Sequence, residues 1–166
     1  GRAFEAGGRG GWFYDLGSGA GRAVVAAALV HDFDYAGGVE ILEGLHKLSI
    51  DAKRRWHDLW EEERHGYGEL CGDDAPPPIV DFIQGDAADV ACMDWRRGDL
   101  IFVNSTCFDD EVMQKIADIA EGVRPGAFVC TLTRRLPSEC FVYHGPSIEF
   151  QMSWGETTVH FYERLS

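Results

Sequence analysis

The sequence holds five cysteines, Cys71, Cys92, Cys107, Cys130 and Cys140, but no C-x-x-C pair, and its six histidines fall at no metal-ligand spacing. That argues against a zinc-stapled or disulfide framework, and the thiols are expected to be reduced and mostly buried. Long hydrophobic runs are missing too: the longest, from Ala23 to Val30, falls far short of the ~20 residues a bilayer span needs. No basic-then-apolar leader opens the chain, so a soluble, intracellular protein is expected, with no membrane partner. Positive charge is scarce, with 15 Lys and Arg against 28 Asp and Glu, a net charge of −13. Such a surface repels phosphate backbones, which disfavours bare nucleic acid as a partner of this domain. Two readings of the acidity stand, plain solubility and attraction of a basic protein segment.

What is present is core. Ten Phe, five Tyr and five Trp in 166 residues supply enough apolar surface for one compact domain without staples. There is no internal repeat and no low-complexity tract. Trp12 to Leu16 reads as a short buried strand, and the Ala/Val run from Ala23 to Val30 as a tightly packed helix. Tyr35 to Glu40 is a second strand, followed by a long helix whose stripe is Leu45, Leu48, Ala52, Trp56 and Leu59. Glu61-Glu62-Glu63 reads as its solvated face, and Gly66 to Pro78 as a loop. Ile79 to Ile83 and Asp99 to Val103 are further strands. Val112, Ile116 and Ile119 mark a helix, and Ala127 to Leu132 a fifth strand. From Phe141 to Trp154 and from Thr157 to Arg164 two β-rich stretches joined at Gly155-Glu156 suit an antiparallel hairpin. The alternation predicts an α/β fold, a doubly wound, mostly parallel sheet with an antiparallel edge. Ligands bind such sheets beyond the carboxyl ends of the strands, where the strand order reverses, so Asp15, Glu40, Asp86 and Asn104 should converge on one crevice.

The run Asp15-Leu16-Gly17-Ser18-Gly19-Ala20-Gly21 sits at the first strand-to-helix turn, where Gly17, Gly19 and Gly21 let backbone approach a ligand and expose the N–H groups of a helix start. A dinucleotide fingerprint would need G-x-G-x-x-G, but Arg22 stands where its third glycine belongs. The spacing is D-x-G-x-G-x-G. Glu40 ends the second strand within Gly38-Val39-Glu40, where a carboxylate can accept both ribose hydroxyls of either a nicotinamide or a methyl-donor cofactor.

The D-x-G-x-G-x-G spacing resembles the first motif of class I, seven-strand S-adenosylmethionine-dependent methyltransferases. Within that superfamily, Phe13-Tyr14-Asp15-Leu16-Gly17-Ser18-Gly19, Gly38-Val39-Glu40, Ile101-Phe102-Val103-Asn104 with its short turn to Phe108, Met152-Ser153-Trp154 and Val159-His160-Phe161-Tyr162 resemble the non-SET, disruptor-of-telomeric-silencing family of histone lysine methyltransferases. The likeness runs from about Phe13 to Glu163. It implies a Rossmann-like, seven-stranded sheet with a C-terminal hairpin, formed by a single domain, 1–166, in which the family's N-terminal helical region has no counterpart. It implies that the glycine loop wraps the methionine part of S-adenosylmethionine, with S-adenosylhomocysteine as product. Asp15 then supports the loop or reaches the donor's amino group, and Asp86 accepts from the adenine amino group. Ala87 takes the place of an aromatic that stacks on adenine. After the fourth strand the family carries Asn-Asn-Phe-Ala-Phe, whereas Asn104-Ser105-Thr106-Cys107-Phe108 keeps only the first Asn and the last Phe.

Methyl transfer from a sulfonium is an in-line displacement that needs positioning and exclusion of water, and neither a metal nor a strong base. A lysine acceptor must shed its proton, which an apolar channel favours. Phe108, Trp154 and either Phe161 or Tyr162 are the candidates for that channel. Asn104 is the candidate to orient the acceptor amine or the cofactor through its side-chain carbonyl. The expected function is methylation of a protein lysine of histone type, with a histone or nucleosome as the basic partner. A nuclear location follows from the family likeness, and a cytoplasmic one is the fallback. The rival readings are a methyltransferase for another protein or a small molecule, and a donor-binding but inactive scaffold domain.

Overall fold

The structure, a computed structural model, describes residues 10–71, 78–152 and 155–166, with 61–71 as backbone only. Its elements are β1 (Trp12–Leu16), α1 (Arg22–Val30), β2 (Tyr35–Glu40), α2 (Glu43–Cys71), β3 (Ile79–Gln84), β4 (Leu100–Val103), α3 (Asp110–Ala120), β5 (Phe128–Leu132), β6 (Phe141–Tyr143), β7 (Ile148–Met152) and β8 (Gly155–Arg164). The sheet runs β3-β2-β1-β4-β5-β8-β6, with β1 to β5 parallel and β8 antiparallel to β5. The doubly wound architecture is as expected. The described strands number eight, because the stretch expected as the sixth strand is two pieces, β6 and β7, which share one edge of β8 on either side of Gly145-Pro146.

The hairpin is present but its corner lies elsewhere. Gly155 and Glu156, expected as the turn, already pair with Met152 and Gln151 inside the β7–β8 ladder. Gly155 starts the strand at φ +136°, a conformation that side chains rarely adopt. Ser153 and Trp154 lie outside the described residues.

Each sheet face carries its own core. On one, Trp95, Ile101, Val103 and Val129 pack with Ile116, Ala117 and Ala120 of α3. That helix starts on Asp109, whose carboxylate accepts the Val112 N–H, and Asp110 and Glu111 complement its dipole. Ile116 is buried as expected, while Val112 and Ile119 are only half-buried beside it. On the other face, Phe13, Val24, Phe33, Trp56 and Phe82 join α1 and α2.

The stripe of α2 differs from the expected one. Trp56 is buried, but Leu45, Leu48 and Leu59 are exposed, and Ser49 is fully buried in their place. The helix is rotated so that small Ser49 meets the glycine loop, its Cβ 3.2 Å from where a Gly21 Cβ would stand, while Lys53 pairs with Asp81 of β3 at 2.7 Å. Close approach of helix to loop decides the face, not the count of leucines. The helix also continues to Cys71, through the start of the stretch expected as a loop. Once nucleated, a helix adds residues cheaply, and Gly66 and Gly68 cost it only about 1 kcal/mol each. The Glu61-Glu62-Glu63 side chains lie outside the described residues.

Candidate functional site

Strand register brings the ends of β1, β2, β3 and β4 level, with Leu16 beside Val39 and Val103, and Glu40 beside Gln84. The strand order reverses between β1 and β4, so the crevice opens above these ends. The glycine loop is stitched to β2 there. Gly17 and Ser18 both donate their N–H to the Val39 carbonyl, at 2.9 and 3.0 Å, and Gly21 donates to Ser18. Gly17, Gly19 and Gly21 all have positive φ. At Gly21 a Cβ would stand 2.5 Å from the Phe82 ring, whereas at Gly19 it would meet open space.

Two carboxylates sit under the loop. Glu40, 6% exposed, accepts the Gly19 N–H on Oε2 and the Leu42 N–H on Oε1, each at 2.8 Å. Both oxygens are thus aimed, and each keeps a lone pair for a further donor. Asp15 is 2% exposed, and its Oδ1 is buried without a hydrogen-bond partner among the described residues, as is the Ser18 hydroxyl. Burial, and then the charge of Glu40, push the Asp15 carboxyl up to about 7. An orphaned buried acceptor costs about 1–3 kcal/mol and asks for a donor that arrives from outside.

On the far side of β2, Gly85 donates to the Glu40 carbonyl, and exposed Asp86 accepts the Ala88 N–H on Oδ1 at 2.8 Å. Ala87 is half-buried, and its carbonyl accepts from the indole of fully buried Trp95, which fixes this loop to the core. Cys92 and Cys107 are exposed, contrary to the expectation of mostly buried thiols, because both fall on site-flanking turns rather than strands.

Asn104 follows β4 and opens the Ser105–Cys107 3₁₀ turn. Its Oδ1 already accepts from the Thr106 hydroxyl at 3.0 Å, so the side-chain carbonyl assigned to the acceptor is partly engaged. Ser105 is fully buried and its hydroxyl donates to the Leu132 carbonyl at the end of β5. Phe108 comes back over the loop, its ring edge 3.3 Å from where a Gly17 Cβ would be. Asp15, Gly17, Gly19, Gly21, Glu40, Asp86, Ala87, Asn104 and Phe108 are therefore brought to one crevice.

Tyr162 is not among them. It pairs with Val129, near the start of β5, and so stands toward the opposite end of the sheet from the crevice. It is buried in the core with its hydroxyl accepting the Leu136 N–H at 3.1 Å. The family likeness and its aromatic ring made it a channel candidate, and neither says at which end of the sheet it stands. Phe161, the other candidate, lies on the opposite face beside Cys130. Trp154 lies outside the described residues.

Residues 8–144 match the family model for histone methylation protein DOT1. The chain belongs to the DOT1 histone-methylation family. A curated relative, the histone-lysine N-methyltransferase, H3 lysine-79 specific, of Eremothecium gossypii, is 30% identical over 130 residues, covering 76% of this chain and 21% of that protein. The DOT1-family chain thus spans about a fifth of that relative's length. Among solved structures, MtNAS in complex with S-adenosylmethionine aligns over 95% of this chain and 56% of that one, with TM-score 0.58 and 15% identity. The precorrin-6y C5,15-methyltransferase of Geobacter metallireducens aligns over 94% and 81%, with TM-score 0.64 and 8% identity. These two likenesses show a shared fold.

S-adenosylmethionine is the cofactor this DOT1-family fold takes, and the residues present fit it. The orphaned Asp15 Oδ1 matches a cationic amino group, and Glu40, with both oxygens aimed, matches a pair of ribose hydroxyls. Sequence reasoning missed the polar cluster at the β5 end. There Thr133 has φ +67°, rare for a β-branched residue and costing on the order of 1–3 kcal/mol. Buried His160, paired across from Thr131, lies 3.3 Å from the Tyr143 hydroxyl; burial pulls its pKa down. No sequence motif announces a left-handed threonine.

Proposed function

We propose that this chain is the donor-binding, methyl-transferring core of a histone lysine methyltransferase, acting on a lysine ε-amine of a histone or nucleosome in the nucleus. The observation that carries the reading is the acidic set at consecutive strand ends, with Asp15 Oδ1 buried and unpartnered beneath a glycine loop that Glu40 holds open. Bound S-adenosylmethionine supplies a methyl group already activated by its sulfonium.

The chain's own residues position that chemistry. Glu40 and Asp86 hold the nucleoside end from two strand ends, and Asp15, ionised by an arriving ammonium, anchors the other end. Phe108 stands against the loop at Gly17, where its ring excludes water and disfavours a charged ammonium on the acceptor. Asn104, braced by Thr106, opens the same short turn that Phe108 closes. The net charge of −13 suits a basic histone segment.

Calorimetry with S-adenosylmethionine and labelled-methyl transfer test this together. Glu40→Ala and Asp86→Ala are each expected to weaken donor binding about tenfold or more, the loss of one charge-assisted contact. Label is expected in histone lysine when nucleosomes, free histones and a metabolite extract are offered in parallel. Unchanged affinity in both variants would remove the site assignment, and label confined to the metabolite fraction would remove the lysine acceptor.

A further inference from the structure

The turn after β5 is built at a cost that packing does not explain. Among the described residues every other left-handed position is a glycine, but Thr133, exposed and β-branched, sits at φ +67°. Its polar groups are held from several sides. The N–H donates to the Thr158 carbonyl at 2.7 Å, and the hydroxyl lies 2.9 Å from that of buried Thr157. The preceding strand end is gripped as well, since Ser105 donates to the Leu132 carbonyl and Thr131 to that of Arg134. Ser105 is the residue next to Asn104. Hydroxyl contacts joined through the Leu132–Thr133 backbone therefore run from β8, through the strained turn, to the Asn104 turn on the acceptor side of the crevice.

We propose that Thr133 is a positioning residue for methyl transfer: its left-handed turn, clamped by the Thr157 hydroxyl and the Thr158 carbonyl, sets the end of β5 and, through Ser105, the placement of Asn104 beside the acceptor. A glycine here would be easier for the backbone and looser. Threonine trades that ease for a hydroxyl that ties the turn to β8, so the lip of the crevice is fixed before a substrate arrives. The donor loop is tied to β2 by its own hydrogen bonds, and from this side the ring of Phe108, whose backbone N–H donates to the Ser105 carbonyl, reaches it. Thr133 thus acts chiefly on the acceptor side.

The inference rests on the methyl-transfer reading, and the test separates the two. Steady-state methylation of the histone acceptor, with donor Kd measured by calorimetry, is compared for wild type, Thr133→Ala, Thr133→Gly, Thr133→Ser and Ser105→Ala. Thr133→Ala and Thr133→Gly are expected to lose about tenfold in acceptor kcat/KM with donor Kd unchanged, and Thr133→Ser to retain activity within about twofold. The Ser105→Ala/Thr133→Ala pair should be no worse than the poorer single variant, since both cut one network. Unchanged acceptor kinetics in the Ala and Gly variants would overturn the proposal, as would a parallel fall in donor affinity, which marks a structural role only. If the Ala variant fails to fold, the Gly variant, free of backbone strain, carries the same comparison. A wild-type chain that binds the donor but methylates no histone overturns the reading on which the inference stands.

Discussion

Asp15 couples the site to pH. Burial, and then the charge of Glu40, push its carboxyl up to about 7 in the folded chain, from an ordinary value of 3.8. A carboxyl raised on folding adds stability that is fully present below its unfolded pKa and is lost as pH rises through the folded value. The ligand-free chain should therefore lose on the order of 4 kcal/mol between about pH 4 and pH 7 through this group alone. Chemical denaturation at several pH values should show that loss in wild type and not in Asp15→Asn. Donor binding should run the other way, because an ammonium partner favours the ionised carboxylate, so donor affinity should rise between about pH 6 and 7.5 in wild type and stay level in Asp15→Asn. A wild-type affinity that ignores pH in this window would mean that the amino group lies elsewhere.

Among the elements, the glycine loop and the helices around it are one mechanical unit. Gly21 begins α1 at φ +82°, with the Phe82 ring of β3 2.5 Å from its would-be Cβ and Ser49 of α2 3.2 Å away. Gly21→Ala should cost about 1–3 kcal/mol by overpacking and backbone strain, and should weaken donor binding by displacing the loop. Gly19→Ala, with φ +54° but open space around it, should cost less, and paired thermal melts of the two variants read the difference. A larger loss at Gly19 would contradict the packing described.

The same elements show what a sequence can and cannot carry. Apolar runs gave the parallel strands to within a residue or two, and strand ends carry Asp15, Glu40, Asp86 and Asn104 to the crevice as pattern alone suggests. The buried face of α2 was not legible, because Ser49 wins its place by fitting against glycine rather than by hydrophobicity. The break between β6 and β7 was hidden inside a uniformly β-prone stretch. Tyr162 was a channel candidate because the family likeness and an aromatic ring single out a residue but give no height along the strand. Thr133 was passed over because a dihedral angle leaves no mark on composition.

At the scale of the whole molecule, charge decides how partners meet. With 28 acidic residues against 15 basic ones, the surface field speeds and tightens encounter with any basic segment at low ionic strength, the proposed histone acceptor included. Raising salt from about 50 to 300 mM should weaken association with the proposed histone acceptor by about tenfold, with far less effect on S-adenosylmethionine, as measured by binding titration. Equal salt dependence of the two ligands would show that the surface field plays no part in acceptor recognition. Among the described residues no helix is long and apolar enough to cross a membrane.

The divided outer edge of the sheet has a consequence for how the molecule behaves in a crowd. A ten-residue strand such as β8, left bare on one side, would offer a template for a neighbouring chain to extend the ladder. Here that side is covered by a three-residue and a five-residue strand, with Pro146, which has no N–H to give, between them. An incoming strand finds two short stretches out of continuity instead of one long rail. Self-association through this edge is thereby discouraged, even though Ile148 and Phe150 stand exposed along it.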